Sequence, residues 1–237
     1  MGLRLLTAAA AALVALSVPG SPAAAQRGHA AVHRDWSQVA VRTPAGGIRL
    51  GNPAAPVKLI EYGSITCPHC AHFQESASAP LRQTYIRSGR VSWEYRPFMI
   101  FPTDPGVFQL LDCLPASAYF PAADALYASQ RTWVGRMTAL SPAQLQQFDT
   151  LSPAQKAAAI VRAAGLGPFF QQRGMTPAQI DQCLADPQRL RRLAGVTQTA
   201  LGTYHVEGTP TFFINGRQVN AGDWPTLEAR LRAAIGG

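Results

Sequence analysis

A chain of 237 residues with 47% hydrophobic residues has enough apolar material for one domain with a sizeable core, or for a domain carrying a large insertion. Its formal charge of +8 invites a nucleic-acid reading, but the arginines are spread along the chain. The densest group, Arg189, Arg191 and Arg192, falls in a helix-like stretch, where a solvated helix face accounts for it and nucleic acid is not expected as a partner.

The first segment reads as an address rather than as part of the fold. Arg4 gives a positive start, residues 5–18 an apolar run, and Ala23-Ala24-Ala25 before Gln26 a small-residue cleavage site. Residues 1–25 are therefore expected to be a signal peptide, with the mature protein starting at Gln26. The apolar run is shorter than the roughly 20 residues needed to span a bilayer, and the absence of a cysteine near the cleavage point argues against lipid attachment. Without Arg4 the mature chain carries 20 basic and 13 acidic residues, a charge of +7. Export places all four cysteines in an oxidising compartment, and the periplasm is the expected location.

Residues 26–48 read as a polar N-terminal lead segment. Val57-Lys58-Leu59-Ile60-Glu61-Tyr62 then reads as a buried strand, residues 68–87 as a helix stopped by Ser88-Gly89, and 91–96 as a second strand. That order is a β-α-β unit, which implies parallel strands. From Asp104 to Ala185 strand signals vanish. Ser141-Pro142-Ala143-Gln144, Ser152-Pro153-Ala154-Gln155 and Thr176-Pro177-Ala178-Gln179 each place a hydroxyl at the N-cap, proline at N1 and glutamine at N3, the pattern of a reciprocal capping box. Asp104-Pro105 and Asp186-Pro187 look like two further caps, the second opening a longer helix to about Thr203. Strand character returns at 211–214, followed by Asn215-Gly216 and 217–219, a strong hairpin signal because both turn residues need positive φ. A helix over 223–234 closes the chain.

The chemistry concentrates in Cys67-Pro68-His69-Cys70. A C-x-x-C at a strand-to-helix junction suits a dithiol that cycles with its disulfide, because a helix start stabilises a thiolate. Two rivals exist on the same residues. A static disulfide across two intervening residues would restrain little of the chain. A zinc site on Cys67, His69, Cys70 and His72 would want a second ligand pair from elsewhere, which the two separated remaining cysteines do not supply. No metal is expected.

Glu61-Tyr62-Gly63-Ser64-Ile65-Thr66-Cys67-Pro68-His69-Cys70, together with the distant Gly208-Thr209-Pro210-Thr211-Phe212, resembles the DsbA family of thiol-disulfide oxidoreductases, in particular its exported single-domain branch with a second cysteine pair. The resemblance implies an α/β architecture, a thioredoxin fold with an inserted α-helical domain. Residues 49–104 and 186–237 would then form a discontinuous thioredoxin-like domain and 105–185 the helical insertion.

Under that resemblance Cys67 is the attacking sulfur and Cys70 its buried partner, with Pro68 at N1 and His69 able to donate to the Cys67 thiolate. Pro210 is expected in a cis peptide facing the C-x-x-C, with Thr209 offering backbone groups to an extended substrate. Glu61 corresponds to an acidic residue beneath the cysteine pair that helps move the proton of Cys70. Lys58 lies on the opposite face of the strand and is a poor partner for it; the neighbouring strand offers Trp93, Glu94 and Arg96 in place of the lysine of some relatives, and a partly solvated strand-end glutamate is an equally open reading. In an oxidising compartment Cys113 and Cys183 are expected to form a structural disulfide, worth at most about 4 kcal/mol in the chain-entropy model, with free buried thiols as the alternative. Within the branch such a pair can also tune the first.

The expected activity is that of an exported dithiol oxidase introducing disulfides into reduced exported polypeptides by exchange at Cys67 and Cys70. The resemblance implies reoxidation by a quinone-linked membrane protein; no cofactor is expected, since the active-site sulfurs carry the electrons, and a monomer is expected. The alternatives are a disulfide isomerase or reductase of the same fold, and a non-redox peptide-binding or chaperone module.

Overall fold

The computed structural model describes residues 1, 2 and 34–236, so the expected signal peptide beyond its first two residues, and the start of the lead segment, lie outside the described residues. Six strands form one sheet in the order β1-β2-β4-β3-β5-β6. Its centre is the predicted β-α-β unit: β3 (Val57–Gly63) and β4 (Val91–Pro97) run parallel, joined by α1 (Pro68–Pro80) and a wider π turn over Leu81–Ile86. Gly89, at φ 76°, ends that connection.

The lead segment departs from its polar reading, because it holds one strand and the first residue of a second. β1 (Ala40–Arg42) and β2 (Ile48–Leu50) form a hairpin, and β2 pairs antiparallel with β4. Strands of three residues are too short to show alternation. Ile48 and Leu50 nevertheless reach the core, at 2% and 4% exposure, because pairing with Tyr95 and Trp93 fixes which way they face.

At the other edge, β5 (Thr211–Ile214) pairs antiparallel with β3, and β6 (Arg217–Val219) completes a hairpin. Asn215 and Gly216 take φ 49° and 80°, as the Asn-Gly signal predicts. Asn215 also receives the Lys58 N–H at 2.8 Å, tying the turn to β3.

Between the two halves of the sheet lie α2 (Asp104–Cys113), α3 (Ala116–Ala128), α4 (Gln130–Thr138), α5 (Pro142–Asp149), α6 (Pro153–Ala163), α7 (Gly167–Gln171) and α8 (Pro177–Ala185); α9 (Pro187–Gly202) follows, and α10 (Trp224–Gly236) ends the described chain. The helices α5, α6 and α8 each show both bonds of the capping box, and Asp186 caps α9 by accepting from the Gln188 and Arg189 N–H groups. Cys113 and Cys183 are disulfide-bonded, joining the end of α2 to α8 with a Cα–Cα distance of 6.3 Å.

The sheet divides the apolar interior. Val57 and Leu59 face one core, continuous with Phe73 of α1 and with Phe108 and Phe120 of the helical segment; the Trp93 and Phe120 ring centroids lie 4.7 Å apart. Ile60 and Tyr62 face a smaller cluster with Phe98, Val196, Ala200, Val206 and Phe213. Period-2 alternation therefore puts Glu61 on the side of the larger core, beneath α1.

Candidate active site

The turn between β3 and α1 is built by packing and then pinned by polar groups. Gly63 ends the strand where a Cβ would stand 2.7 Å from the Tyr95 ring, so no side chain fits there. Ser64, Ile65 and Thr66 then carry the chain to Cys67, the N-cap of α1, with Pro68 at N1, where its missing N–H costs nothing.

Asp104 holds this turn. Expected as a helix cap, it is instead the first residue of α2, with Thr103 at the N-cap, and its fully buried carboxylate turns back toward β3. It accepts from the Ser64 hydroxyl (2.9 Å), the Thr66 hydroxyl (2.8 Å) and the backbone N–H groups of Ile100 (3.0 Å) and Phe101 (2.9 Å). Ser64 Oγ in turn receives the Cys67 N–H at 3.2 Å. From the other side the Gln130 amide donates to the carbonyls of Ile65 (2.7 Å) and Cys67 (2.9 Å), and the Tyr127 hydroxyl donates to Ser64 O at 3.2 Å. A buried polar group left unmatched costs about 1 to 3 kcal/mol, so this full set fixes a single turn conformation.

The two cysteines are free thiols in sharply different settings. The Cys67 thiol is brought down to about 5, first by a hydrogen bond from Cys70, then by Thr209 and the backbone N–H groups of Cys70 and His69, against the opposing effect of burial. Cys70, with 0% exposure, is pushed well above the usual thiol value by burial, and further by Cys67 and Glu61. One sulfur is thus poised as thiolate and the other as thiol. The expected donation from the His69 side chain is corrected: that side chain is exposed, no hydrogen bond joins it to Cys67 among the described residues, and His69 acts through its backbone N–H.

The Thr209-Pro210 peptide is cis, and the loop lies against the first cysteine, with Thr209 O 3.4 Å from Cys67 Sγ. Residues 142 apart in sequence thereby face one another because β5 pairs directly with β3.

Glu61 is not the partly solvated strand-end residue of one reading: it is fully buried. The Gln74 amide nitrogen lies 3.1 Å from both of its oxygens, and the Trp93 indole N–H donates to one of them at 3.1 Å. Burial pushes its carboxyl up to about 8, while the bonds from Gln74 and Trp93 act in the opposite direction. Lys58 points elsewhere, donating to Pro53 O.

Reasoning from sequence missed Asp104 as a pin, and Gln74, Gln130 and Tyr127 altogether. Gln74 lies four residues after Cys70, one turn along the same helix, and that spacing could have flagged it. For Gln130 and Tyr127 no local signal exists; they arrive by the packing of α3 and α4 against the turn.

Comparison with known proteins places this geometry in context. The family model described as Thioredoxin matches residues 43–235. The crystal structure of a protein-disulfide isomerase from Novosphingobium aromaticivorans superposes with a TM-score of 0.76 at 33% identity, covering 80% of this chain and 97% of that one. Wolbachia pipientis alpha-DsbA1 shares the fold, with a TM-score of 0.65 at 19% identity over 82% of this chain and 92% of its own. A Rickettsia bellii protein named "Putative protein-disulfide oxidoreductase" is 25% identical over 186 residues, 78% of this chain. The chain spans 63% of the length of that relative and 54% of its Rickettsia typhi counterpart.

Proposed function

This chain belongs to the thioredoxin family, and from that premise we propose that it is an exported thiol:disulfide oxidoreductase working as a dithiol oxidase. The observation that carries the proposal is the asymmetry of the two sulfurs, Cys67 lowered to about 5 and Cys70 held well above the usual thiol value. A stabilised Cys67 thiolate favours the reduced protein, so its disulfide is a strong oxidant.

In the oxidising direction a substrate thiolate attacks Cys67 Sγ of the Cys67–Cys70 disulfide. The bond between the two enzyme sulfurs breaks and its electron pair leaves on Cys70, which takes a proton from the neutral Glu61 carboxyl. The substrate is then held in a mixed disulfide on Cys67. A second substrate thiolate attacks the substrate's own sulfur, Cys67 leaves as a thiolate, and the substrate departs with a new disulfide while the enzyme is two electrons richer. The cis Thr209-Pro210 loop, whose Thr209 carbonyl already meets Cys67, offers the backbone edge along which an extended polypeptide pairs. Reoxidation requires an acceptor, by resemblance a quinone-linked membrane protein. A periplasmic location accords with the bonded Cys113–Cys183 pair, since such bonds persist in oxidising compartments.

The Novosphingobium relative's description as an isomerase favours one second reading, a protein that rests reduced and reshuffles bonds. The reduction potential of the Cys67/Cys70 pair, measured against glutathione, separates the two. A value near −120 mV supports the oxidase, and one near −270 mV, about that of thioredoxin, overturns it.

A further inference from the structure

Burying a carboxylate without a cation normally locks it in the neutral form. Among the described residues Glu61 has no cationic partner: its three hydrogen-bond contacts come from the amide of Gln74 and the indole of Trp93. An indole only donates, whereas an amide carries a donor and an acceptor on one planar group. Gln74 is itself 5% exposed, and its Oε1 has no hydrogen-bond partner among the described residues. A half-turn about the last side-chain bond exchanges Nε2 and Oε1, so the unmatched oxygen is what the amide would present to a protonated Glu61.

We propose that Gln74 is a positioning residue for proton exchange between Glu61 and Cys70, its amide donating from Nε2 to the Glu61 carboxylate and, turned over, accepting at Oε1 from the Glu61 carboxylic acid. This rests on the reading of Cys67 and Cys70 as the redox pair. A side chain that serves both protonation states keeps Glu61 able to give a proton and to take one back, which a lysine or an aliphatic residue there would not. The direction of the Gln74 effect agrees, since its bond opposes the upward push of burial on Glu61. The other groups facing Glu61 do not supply that balance. Cys70 on α1 is a buried thiol; Tyr95 on β4 and Tyr119 and Tyr127 on α3 are buried phenols whose own ionisation is pushed upward by burial. Asp124 of α3 acts on Glu61 in the same direction as burial, and its own partner is Arg82 of the π turn.

The test is a carbon-13 carboxyl NMR titration of the reduced protein, the Glu61 signal being identified by its loss in Glu61→Gln. Gln74→Met keeps the length and removes both functions, and should raise the Glu61 midpoint by about one pH unit, a tenfold gain in proton affinity. Gln74→Lys can only donate, and should lower it by at least as much. A midpoint unmoved by both, or moved in the same direction by both, overturns the proposal, and should the Met variant fail to fold, the sign of the Lys shift decides alone. In oxidation of a reduced peptide with two cysteines, the Glu61-dependent limb of the pH profile should shift in step, and in a Glu61→Gln background Gln74→Met should change nothing further. A wild-type protein that fails to oxidise the peptide sinks the functional reading, whereas active wild type with unshifted Glu61 titrations sinks the role of Gln74.

Discussion

Two carboxylates, Glu61 and Asp104, are fully buried on either side of the Cys67-Cys70 turn, and their surroundings give them opposite work. Asp104 collects two hydroxyls and the N–H groups of Ile100 and Phe101, so it is met by four donors from two chain segments and acts as a fixed pin. Glu61 is met by one amide and one indole as donors and is pushed up to about 8, within reach of exchange with a thiol. Burial pushes both carboxyls upward against their donors, and what sets Asp104 apart is that its donors belong to the turn it holds.

The strongest way to break that contrast is Asp104→Ala. It strands the Ser64 and Thr66 hydroxyls and two backbone N–H groups, and should cost roughly 3 to 5 kcal/mol in a urea-denaturation measurement. A loss below about 1 kcal/mol would show that water replaces the carboxylate and that Asp104 is no pin.

Glu61→Gln should do the reverse, and the sign depends on pH. Because the folded-state value, about 8, lies above the ordinary 4.5, the native protein binds more protons between those limits. The stability contributed by Glu61 is therefore fully present below about 4.5 and lost as pH rises through 8. The variant escapes that loss, so its stability relative to wild type should climb between pH 5 and 8, by an amount on the order of a few kcal/mol. Cys67, depressed to about 5 in the reduced protein, adds stability in the opposite sense, fully present above 9 and lost as pH falls through 5. For that reason the difference between variant and wild type is the quantity to follow, and a difference flat in pH would mean that Glu61 does not titrate in this range.

A smaller effect sharpens the contrast from the neutral side. The Tyr127 hydroxyl helps hold the turn without carrying charge, donating to Ser64 O and sharing a 2.8 Å bond with the Tyr95 hydroxyl. Tyr127→Phe should cost about 1 kcal/mol of stability and leave the Cys67 thiolate titration, read by its ultraviolet absorbance, within about 0.3 pH units of wild type. A larger shift would make Tyr127 part of the electrostatics of the sulfur.

Much of the architecture could be read in advance because its signals are local. Three capping boxes, the Asn-Gly turn and the apolar run of β3 each depend on residues within a few positions of one another, and all appear in the structure at those positions. The hairpin β1-β2 was hidden because three-residue strands carry no pattern, and only pairing with β4 defines them. Asp104 shows the same limit from another side. Asp-Pro at a helix start has the form of a cap, yet the carboxylate finds better partners across the fold than at its own helix end, and no neighbouring residue records that choice.

The sequence by itself determined where the reactive sulfurs stand, at the end of a strand and the start of a helix, since strand periodicity, the proline at N1 and the C-x-x-C spacing are all short-range. It also put Glu61 on the strand leading to them. Tertiary structure decided what those groups are chemically: which sulfur is acidic, that Glu61 is sealed from water and met by Gln74 and Trp93, and that Thr209 reaches Cys67. Those properties are sums over charges, donors and excluded solvent contributed by segments far apart in the chain, and folding alone brings them within range.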